Sequence, residues 1–236
     1  MNPTRLALAL ALVTLAAGCG DDDPDGAFKP IPKRARGSSP EETKGPDDAP
    51  PGHETIAILR TTQGEIAIRF LRDEAPEHVR NFVEHARSGF YDGTYFHRVS
   101  PTFMIQGGDP NTKDSDPSND GQGGHSWKGP GTNVRAEFGD VKHVRGIVSA
   151  ARGGHDIHSA GSQFFIMVAD NPSLDGSYSA FGEVIQGMDV ADRIAAQPCD
   201  RSGDGTGNPY VHQSIDEVRI EHWPKQKVEA ARAASK

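Results

Sequence analysis

A short run of the chain, from Phe96 to Asp109, places one cation and one amide among apolar side chains. It reads FHRVSPTFMIQGGD, with Arg98, the pair Phe103 and Met104, and then Gln106. Arginine is cationic at any relevant pH and donates several hydrogen bonds, whereas phenylalanine and methionine offer apolar surface. The run therefore predicts an apolar pocket with one fixed cation. Such a pocket can hold a proline ring while a donor acts on the peptide nitrogen of the ring.

These side chains need a rigid frame, and the hydrophobic pattern predicts one made of short β-strands. Two β-rich runs at 55–60 and 65–70 flank a Thr-Thr-Gln-Gly turn, which is typical of a hairpin. Residues 75–88 have a helical apolar period, with Pro76 in the first turn and Gly89 after the last. Further strands are predicted at 95–99, 103–106, 146–150, 163–168, 180–185 and 214–222, and a second helix at 188–196. Many short strands with only two helices favour a β-barrel or sandwich over βαβ units.

A long stretch rich in Gly, Asp, Asn and Pro separates Asp109 from Val134. It lacks the Gly-Lys-Ser/Thr ending of a phosphate-binding loop, and its aspartates miss the EF-hand spacing. His155 and His158 form a pair without an evident third ligand, so no metal site is predicted. A solvated loop is the expectation for 109–134, with a functional role left open.

The N-terminus has the layout of a secretory signal. Arg5 precedes twelve mostly apolar residues, too few to span a bilayer, and Gly18-Cys19 then leads into three aspartates. The ending resembles a bacterial lipobox, in which the cysteine carries the lipid, although Ala16 stands where leucine is usual. We expect a lipoprotein signal peptide over residues 1–18 with lipidation at Cys19. An ordinary cleaved signal with an incidental cysteine is the alternative.

Composition divides the remainder of the chain. Residues 19–53 contain seven of the 17 prolines and few large apolar groups, which predicts a disordered tether. Residues 54–223 are expected to form one domain and 224–236 a flexible tail. With Cys19 lipidated, Cys199 has no partner, so the domain is expected to fold without a disulfide. The net charge of −8 argues against nucleic acid as a partner.

Several separated blocks of the predicted domain resemble the cyclophilin family of peptidyl-prolyl cis-trans isomerases. The first two are the Phe96–Asp109 run and Gly-Ile-Val-Ser-Ala-Ala-Arg at 146–152. The others are Ser-Ala-Gly-Ser-Gln-Phe-Phe-Ile at 159–166 and Leu-Asp-Gly at 174–176, which leads to Phe181-Gly182. The resemblance covers nearly all of residues 54–223. It implies a mainly β fold, a closed eight-stranded antiparallel barrel with two α-helices.

The resemblance also implies the roles of individual residues. Arg98 would be the catalytic residue, donating a hydrogen bond to the proline nitrogen. The substrate-binding residues would be Phe103, Met104, Gln106, Ala151, Arg152, Gln163, Phe165, Leu174 and Tyr178. Phe164 and Phe165 are adjacent in a strand and must face opposite ways, so Phe164 is expected in the barrel interior. No cofactor is implied.

Two positions depart from the family pattern. Ser173 stands where the family has a tryptophan or, in bacteria, often a phenylalanine, so an opened pocket wall and weak cyclosporin binding are expected. Tyr178 replaces the usual histidine and keeps an aromatic ring with a polar tip. Neither departure touches Arg98.

The sequence therefore predicts a prolyl isomerase that acts on proline-containing polypeptide clients. It is expected to be a monomer, held to a membrane of the bacterial cell envelope by its lipid anchor, with the catalytic domain exported, on the periplasmic side. A catalytically weak module or chaperone that binds proline-containing segments is the alternative. A serine hydrolase is set aside because no Gly-x-Ser-x-Gly motif is present.

Overall fold

The computed structural model describes residues 49–200 and 205–235. The strands are β1 His53–Thr61, β2 Gly64–Phe70, β3 Thr94–Tyr95, β4 Arg98–Val99, β5 Met104–Gly107, β6 Ile147–Ala150, β7 Phe164–Met167, β8 Ala180–Gln186 and β9 Ser214–Pro224. The α-helices are α1 Pro76–Arg87, α2 Met188–Ala195 and α3 Lys225–Ala234. The predicted signal peptide, Cys19 and almost all of the predicted tether lie outside the described residues. No helix in the described ranges is both long and apolar enough to cross a membrane.

All nine strands belong to one sheet in the order β3-β9-β1-β2-β8-β6-β7-β5-β4. The expected closed, eight-stranded barrel is therefore wrong: the sheet is an open half-barrel of nine strands. The extra strand arises because the predicted strand 95–99 is split into β3, which pairs with β9, and β4, which pairs with β5. Only Phe96 and His97 separate these two edge strands, so the chain itself passes from one edge of the sheet to the other, and no ladder joins them there.

The β1–β2 hairpin is confirmed, with Ile58 opposite Ala67 and Thr61 opposite Gly64. Gly64 has φ 129°, a conformation that glycine adopts without the steric cost a side chain would add. On the inner side of the sheet, α1 inserts Phe82 among aromatic rings that include Phe164, at a centroid distance of 5.3 Å. Phe164 thus lies in the main core, as predicted from strand alternation.

Two helices were expected and three are present among the described residues. The third, α3, occupies the segment predicted as a flexible tail. It forms because Val228, which is completely buried, packs with Trp223, Ile185 and the outward side chains of β1 and β2. Arg232 also pairs with Glu183 of β8 at 3.0 Å. One buried valine, supported by an ion pair, thus docks a helix whose sequence is otherwise polar or small.

Candidate active site

Arg98 is positioned by strand pairing. It lies on β4 directly opposite Gln106 of β5, so the two side chains emerge on the same face of the sheet. The Arg98 Nη1 donates to Gln106 Oε1 at 3.2 Å, and its Nε donates to Thr206 Oγ1 at 2.8 Å. The ring of Phe103 lies 5.9 Å from the guanidinium carbon. Contacts on several sides thus fix the orientation of the cation.

The Arg98 guanidinium lines a small cavity of about 140 Å³. The lining consists of Arg98, Phe103, Met104, Gln106, Ala151, Arg152, Phe165, Leu174 and Tyr178. All nine are residues that the sequence analysis assigned to the site. They come from β4, β5 and the residue before it, the segment that follows β6, β7, and the loop before β8, so the fold brings together positions up to 80 residues apart. Their catalytic and binding roles remain predictions.

Alternation along two neighbouring strands makes the floor of this cavity. Met104 and Gln106 are two residues apart on β5 and face the cavity, whereas Ile105 between them belongs to the main core. Phe165 lies opposite Gln106 on β7 and meets the ring of Tyr178 edge-on at 5.5 Å. The result is a buried apolar floor with a single amide at one side.

Gln163 was predicted to bind substrate, but it does not line this first cavity. Its Nε2 donates to the carbonyl oxygens of Gly121 at 3.0 Å and Gly123 at 2.7 Å, and its Oε1 accepts from Gln106 Nε2 at 2.9 Å. A hydrogen-bonded chain thus runs from the glycine-rich loop through Gln163 and Gln106 to Arg98. Gln163 lies between the first cavity and a second one of about 290 Å³.

The second cavity contains part of the long loop that the sequence left without a role. Its lining is Gln106, Gly121, Gln122, Gly123, Gly124, Ala151, Arg152, Gly153, Ser159, Gly161 and Gln163. The loop is anchored from α1, where Asn81 donates to Gly161 O at 2.8 Å and accepts from Trp127 N at 2.7 Å. Three residues, Gln106, Ala151 and Arg152, line both cavities and make them neighbours.

The backbone at Ala151 and Arg152 runs along the boundary between the cavities. The amide of Ala151 donates to Gln163 O at 2.9 Å, so that donor is occupied. The amide of Arg152, one residue further on, donates to no acceptor in the described part of the chain. A free backbone donor beside a pocket is the type of group that pairs with an extended peptide.

The loop that carries Leu174 and Tyr178 is held by a buried polar network that the sequence analysis missed. His143 Nε2 lies 2.9 Å from Ser149 Oγ, and its Nδ1 lies 3.3 Å from Asp175 Oδ1. Burial lowers the pKa of His143, against the opposing effect of Asp175, so the ring stays neutral near pH 7. Although Ser, His and Asp are aligned as in a hydrolase, Ser149 is completely buried and cannot reach a substrate. The network is therefore structural.

Ser173 lies in a short turn before Leu174 and is exposed. Its hydroxyl donates to Asn171 Oδ1 at 2.6 Å, and it is not part of the lining of the first cavity. The expected effect on cyclosporin binding stays a prediction. Thr206, in contrast, is a contact of Arg98 that the sequence analysis did not find. A lone threonine in a polar loop carries no pattern that could have pointed to it.

Comparisons with known proteins agree with this geometry. The family described as "Cyclophilin type peptidyl-prolyl cis-trans isomerase/CLD" matches residues 56–223. The chain therefore belongs to the cyclophilin-type peptidyl-prolyl cis-trans isomerase family. Among the described residues no cluster of three or more His, Cys, Asp or Glu side chains could hold a metal ion.

Two curated relatives and one solved structure show the extent of the similarity. "Peptidyl-prolyl cis-trans isomerase 9" of Schizosaccharomyces pombe is 42% identical over 152 residues, which is 61% of this chain but only 22% of that protein. The "Peptidyl-prolyl cis-trans isomerase" of Synechococcus elongatus is 38% identical over 148 residues, 59% of this chain and 92% of that protein. A crystal structure of a Cryptosporidium parvum cyclophilin type peptidyl-prolyl cis-trans isomerase, solved in the presence of the dipeptide Ala-Pro, has a TM-score of 0.62 at 30% identity. The match covers 70% of this chain and 98% of that one.

Proposed function

We propose that this chain catalyses cis-trans rotation about Xaa-Pro peptide bonds in proline-containing polypeptides. The observation that carries the proposal is the first cavity, where an apolar floor of Met104 and Phe165 lies beside the guanidinium of Arg98. The named activity of the relatives supports it, as does the C. parvum structure solved in the presence of Ala-Pro. In this proposal the proline ring occupies the first cavity and Arg98 donates to its nitrogen.

The physical reason is the nature of the barrier. Resonance between the proline nitrogen and the carbonyl gives a rotation barrier of about 18–20 kcal/mol. In the twisted transition state the nitrogen lone pair is localised, so a donor stabilises that state more than the planar ground state. An acceleration of about five decades needs about 7 kcal/mol, and one charge-assisted hydrogen bond contributes about 1.5–3 kcal/mol. Arg98 therefore acts together with desolvation of the amide and with side chains that hold one side of the bond.

The direct test is Arg98→Ala in an NMR exchange assay with an Xaa-Pro peptide. We expect turnover to fall by about two decades or more, since the donor and its positive charge are both lost. Arg98→Lys restores the charge without the forked geometry and should recover only part of the rate. Turnover that is unchanged in Arg98→Ala would refute this mechanism. Wild-type protein that binds the peptide but never speeds its exchange would indicate the alternative, a proline-binding module.

We further propose that the protein is a lipoprotein of the bacterial cell envelope, where it assists the folding of exported proteins as a monomer. The support is the sequence of residues 1–19, with its basic start, short apolar run and Cys19. In this proposal the partners are unfolded clients and the bilayer, and nucleic acid is not one. The test is Cys19→Ser, which should abolish fatty-acid labelling and move the protein from the membrane to the soluble fraction. Labelling that persists in this variant would show that the lipid is attached elsewhere.

A further inference from the structure

We propose that Thr206 is a positioning residue for the isomerisation, and that Asp120 of the long loop holds it in place. Thr206 fixes the orientation of the Arg98 guanidinium and acts on the peptide only through it. The inference rests on the proposed function, since it adds a requirement to the step assigned to Arg98. It also gives a role to part of the loop between Asp109 and Val134.

The Thr206 hydroxyl holds a part of the guanidinium that Gln106 does not hold. Its Oγ1 accepts from Arg98 Nε at 2.8 Å, whereas Gln106 Oε1 accepts from Nη1 at 3.2 Å. The guanidinium is planar and rigid, so acceptors at two of its nitrogens define both its plane and its direction. Thr206 has only 2% of its surface exposed and is not part of the lining of the first cavity. Its effect on a proline in that cavity therefore passes through Arg98.

The backbone next to Thr206 is attached to the strand that carries Arg98. Val99 N donates to Gly207 O at 2.8 Å, and Gly207 N donates to Val99 O at 3.1 Å. This bridge joins the residue after Arg98 to the residue after Thr206, and so brings the threonine within reach of the guanidinium. It involves one residue pair only. A second attachment is needed to keep the hydroxyl aligned, because a hydrogen bond weakens steeply when its angle departs from linear.

Asp120 provides that second attachment from the long loop. The two loops face each other across a third cavity, of about 640 Å³, which Arg98, Thr206 and Asp120 all line. The Asp120 Oδ2 accepts from Asn208 Nδ2 at 2.9 Å and from the Tyr95 hydroxyl at 2.5 Å. Tyr95 is buried and belongs to β3, so the carboxylate is itself anchored to the sheet. Asp120 thus links the sheet to the residue two positions after Thr206.

The first experiment removes the Thr206 hydroxyl alone. Thr206→Val keeps nearly the same shape without the acceptor, and Thr206→Ser keeps the acceptor. Exchange NMR with an Xaa-Pro peptide at several concentrations measures kcat and KM separately for the full chain. We expect kcat to fall about five- to tenfold in Thr206→Val with KM within about twofold of wild type, because the lost bond orients a charged donor that acts in the transition state. Thr206→Ser should recover most of the wild-type kcat.

A second background shows whether the loss passes through Arg98. Lysine has no donor equivalent to Arg98 Nε, so adding Thr206→Val to Arg98→Lys should change kcat by less than about twofold. Thr62→Val is the matched control for the substitution itself. Thr62 lies in the turn between β1 and β2, where its hydroxyl donates to Gln213 Oε1 at 3.3 Å, and its loss should leave kcat unchanged.

Asp120→Ala tests the attachment of the two loops. It should lower kcat about threefold or more, since the loop of Thr206 loses its second support, and it should have little further effect once Thr206→Val is present. Asp116→Ala is the matched control from the same loop. The Asp116 carboxylate accepts from Ser118 in its own loop, so this variant should keep the wild-type kcat. Equal losses in the two aspartate variants would overturn the role of Asp120.

A readout without substrate separates this inference from the proposed function. The Nε–H resonance of Arg98 should exchange slowly with solvent in wild type and about tenfold faster in Thr206→Val and Asp120→Ala, with thermal melts confirming that each variant is folded. Unchanged kcat in folded Thr206→Val, while Arg98→Ala is inactive, overturns the positioning role. If Thr206→Val does not fold, unchanged kcat in Asp120→Ala overturns it instead. Full activity in Arg98→Ala contradicts the proposed mechanism, and the exchange rate of Nε–H then still decides whether Thr206 holds the guanidinium.

Discussion

Replacing Gln106 with leucine should lower isomerase activity by acting through Arg98. The leucine is of similar size but removes the oxygen that accepts from Arg98 Nη1 at 3.2 Å and the amide that donates to Gln163 at 2.9 Å. Arg98 would keep its contact with Thr206 at 2.8 Å and stay near the cavity. The guanidinium then loses one of the contacts that orient it, so it spends part of its time away from the orientation that the proposed mechanism requires.

The size of the effect follows from the bond that is lost. A hydrogen bond to a charged group contributes about 1.5–3 kcal/mol, and Gln106 is half-buried, which favours the low end of that range. About 1.4 kcal/mol corresponds to a tenfold change in rate. We therefore expect kcat/KM to fall about tenfold in Gln106→Leu. Gln106→Glu keeps an acceptor for Arg98 and should retain more activity than the leucine variant.

A double-mutant cycle shows whether the loss passes through Arg98. Exchange NMR is used to measure turnover of one peptide by wild type, Gln106→Leu, Arg98→Ala and the double variant. If Gln106 acts by orienting Arg98, then Gln106→Leu has no further effect once Arg98 is absent. An equal tenfold loss in both backgrounds would refute the reasoning, and would show that Gln106 contributes by contacting the peptide itself.

Two other predictions concern stability. The carboxylate of Glu137 accepts from the backbone amide and from the ring of His78, 3.0 Å and 2.7 Å away, and so caps α1, which has no side-chain cap of its own. Burial alone would raise the pKa of Glu137, but the hydrogen bonds to its carboxylate outweigh burial and the pKa is lowered. The stabilisation by the ionised carboxylate is therefore complete above about pH 4.5 and is lost as the pH falls through the folded-state pKa. Thermal unfolding of wild type and Glu137→Gln from pH 2 to 7 measures this contribution. The variant should be about 1 kcal/mol less stable than wild type at pH 7, and the difference should vanish in acid. A difference in stability that does not depend on pH would contradict the cap. Gly187→Ala should lower the free energy of unfolding by about 2–4 kcal/mol, because φ is 92° and a Cβ would overlap the carbonyl oxygen of Glu65. Gly52→Ala is the control, since Gly52 has φ 79° but no atom within 4 Å of a Cβ. It should cost about 1 kcal/mol in the same melts. Equal losses in the two alanine variants would show that the overlap at Gly187 is relieved by movement.

Local patterns in the sequence predicted most of the elements, and the family resemblance supplied the residues that line the first cavity. The period of α1, with Pro76 at its start, and the alternation that separates Phe164 from Phe165 both depend only on neighbouring residues. The nine lining residues came from blocks that resemble a family, and each block is short and contiguous. α3 was missed because a single buried valine among small and charged residues gives almost no apolar period.

The sequence by itself determined most of the strands, the helices α1 and α2, which neighbouring residues face opposite ways, and that an arginine stands among apolar groups. Only the tertiary structure decided that the sheet stays open, with β3 and β4 at opposite edges, since strand order depends on pairing between distant segments. Likewise, the contact of Arg98 with Thr206 joins residues 108 positions apart, and the stacking of Arg152 on Tyr178 joins two loops. Periodicity reports only which way a side chain faces from its own element. Which partner it meets is set by how the elements pack, and at this site the partners orient both arginines.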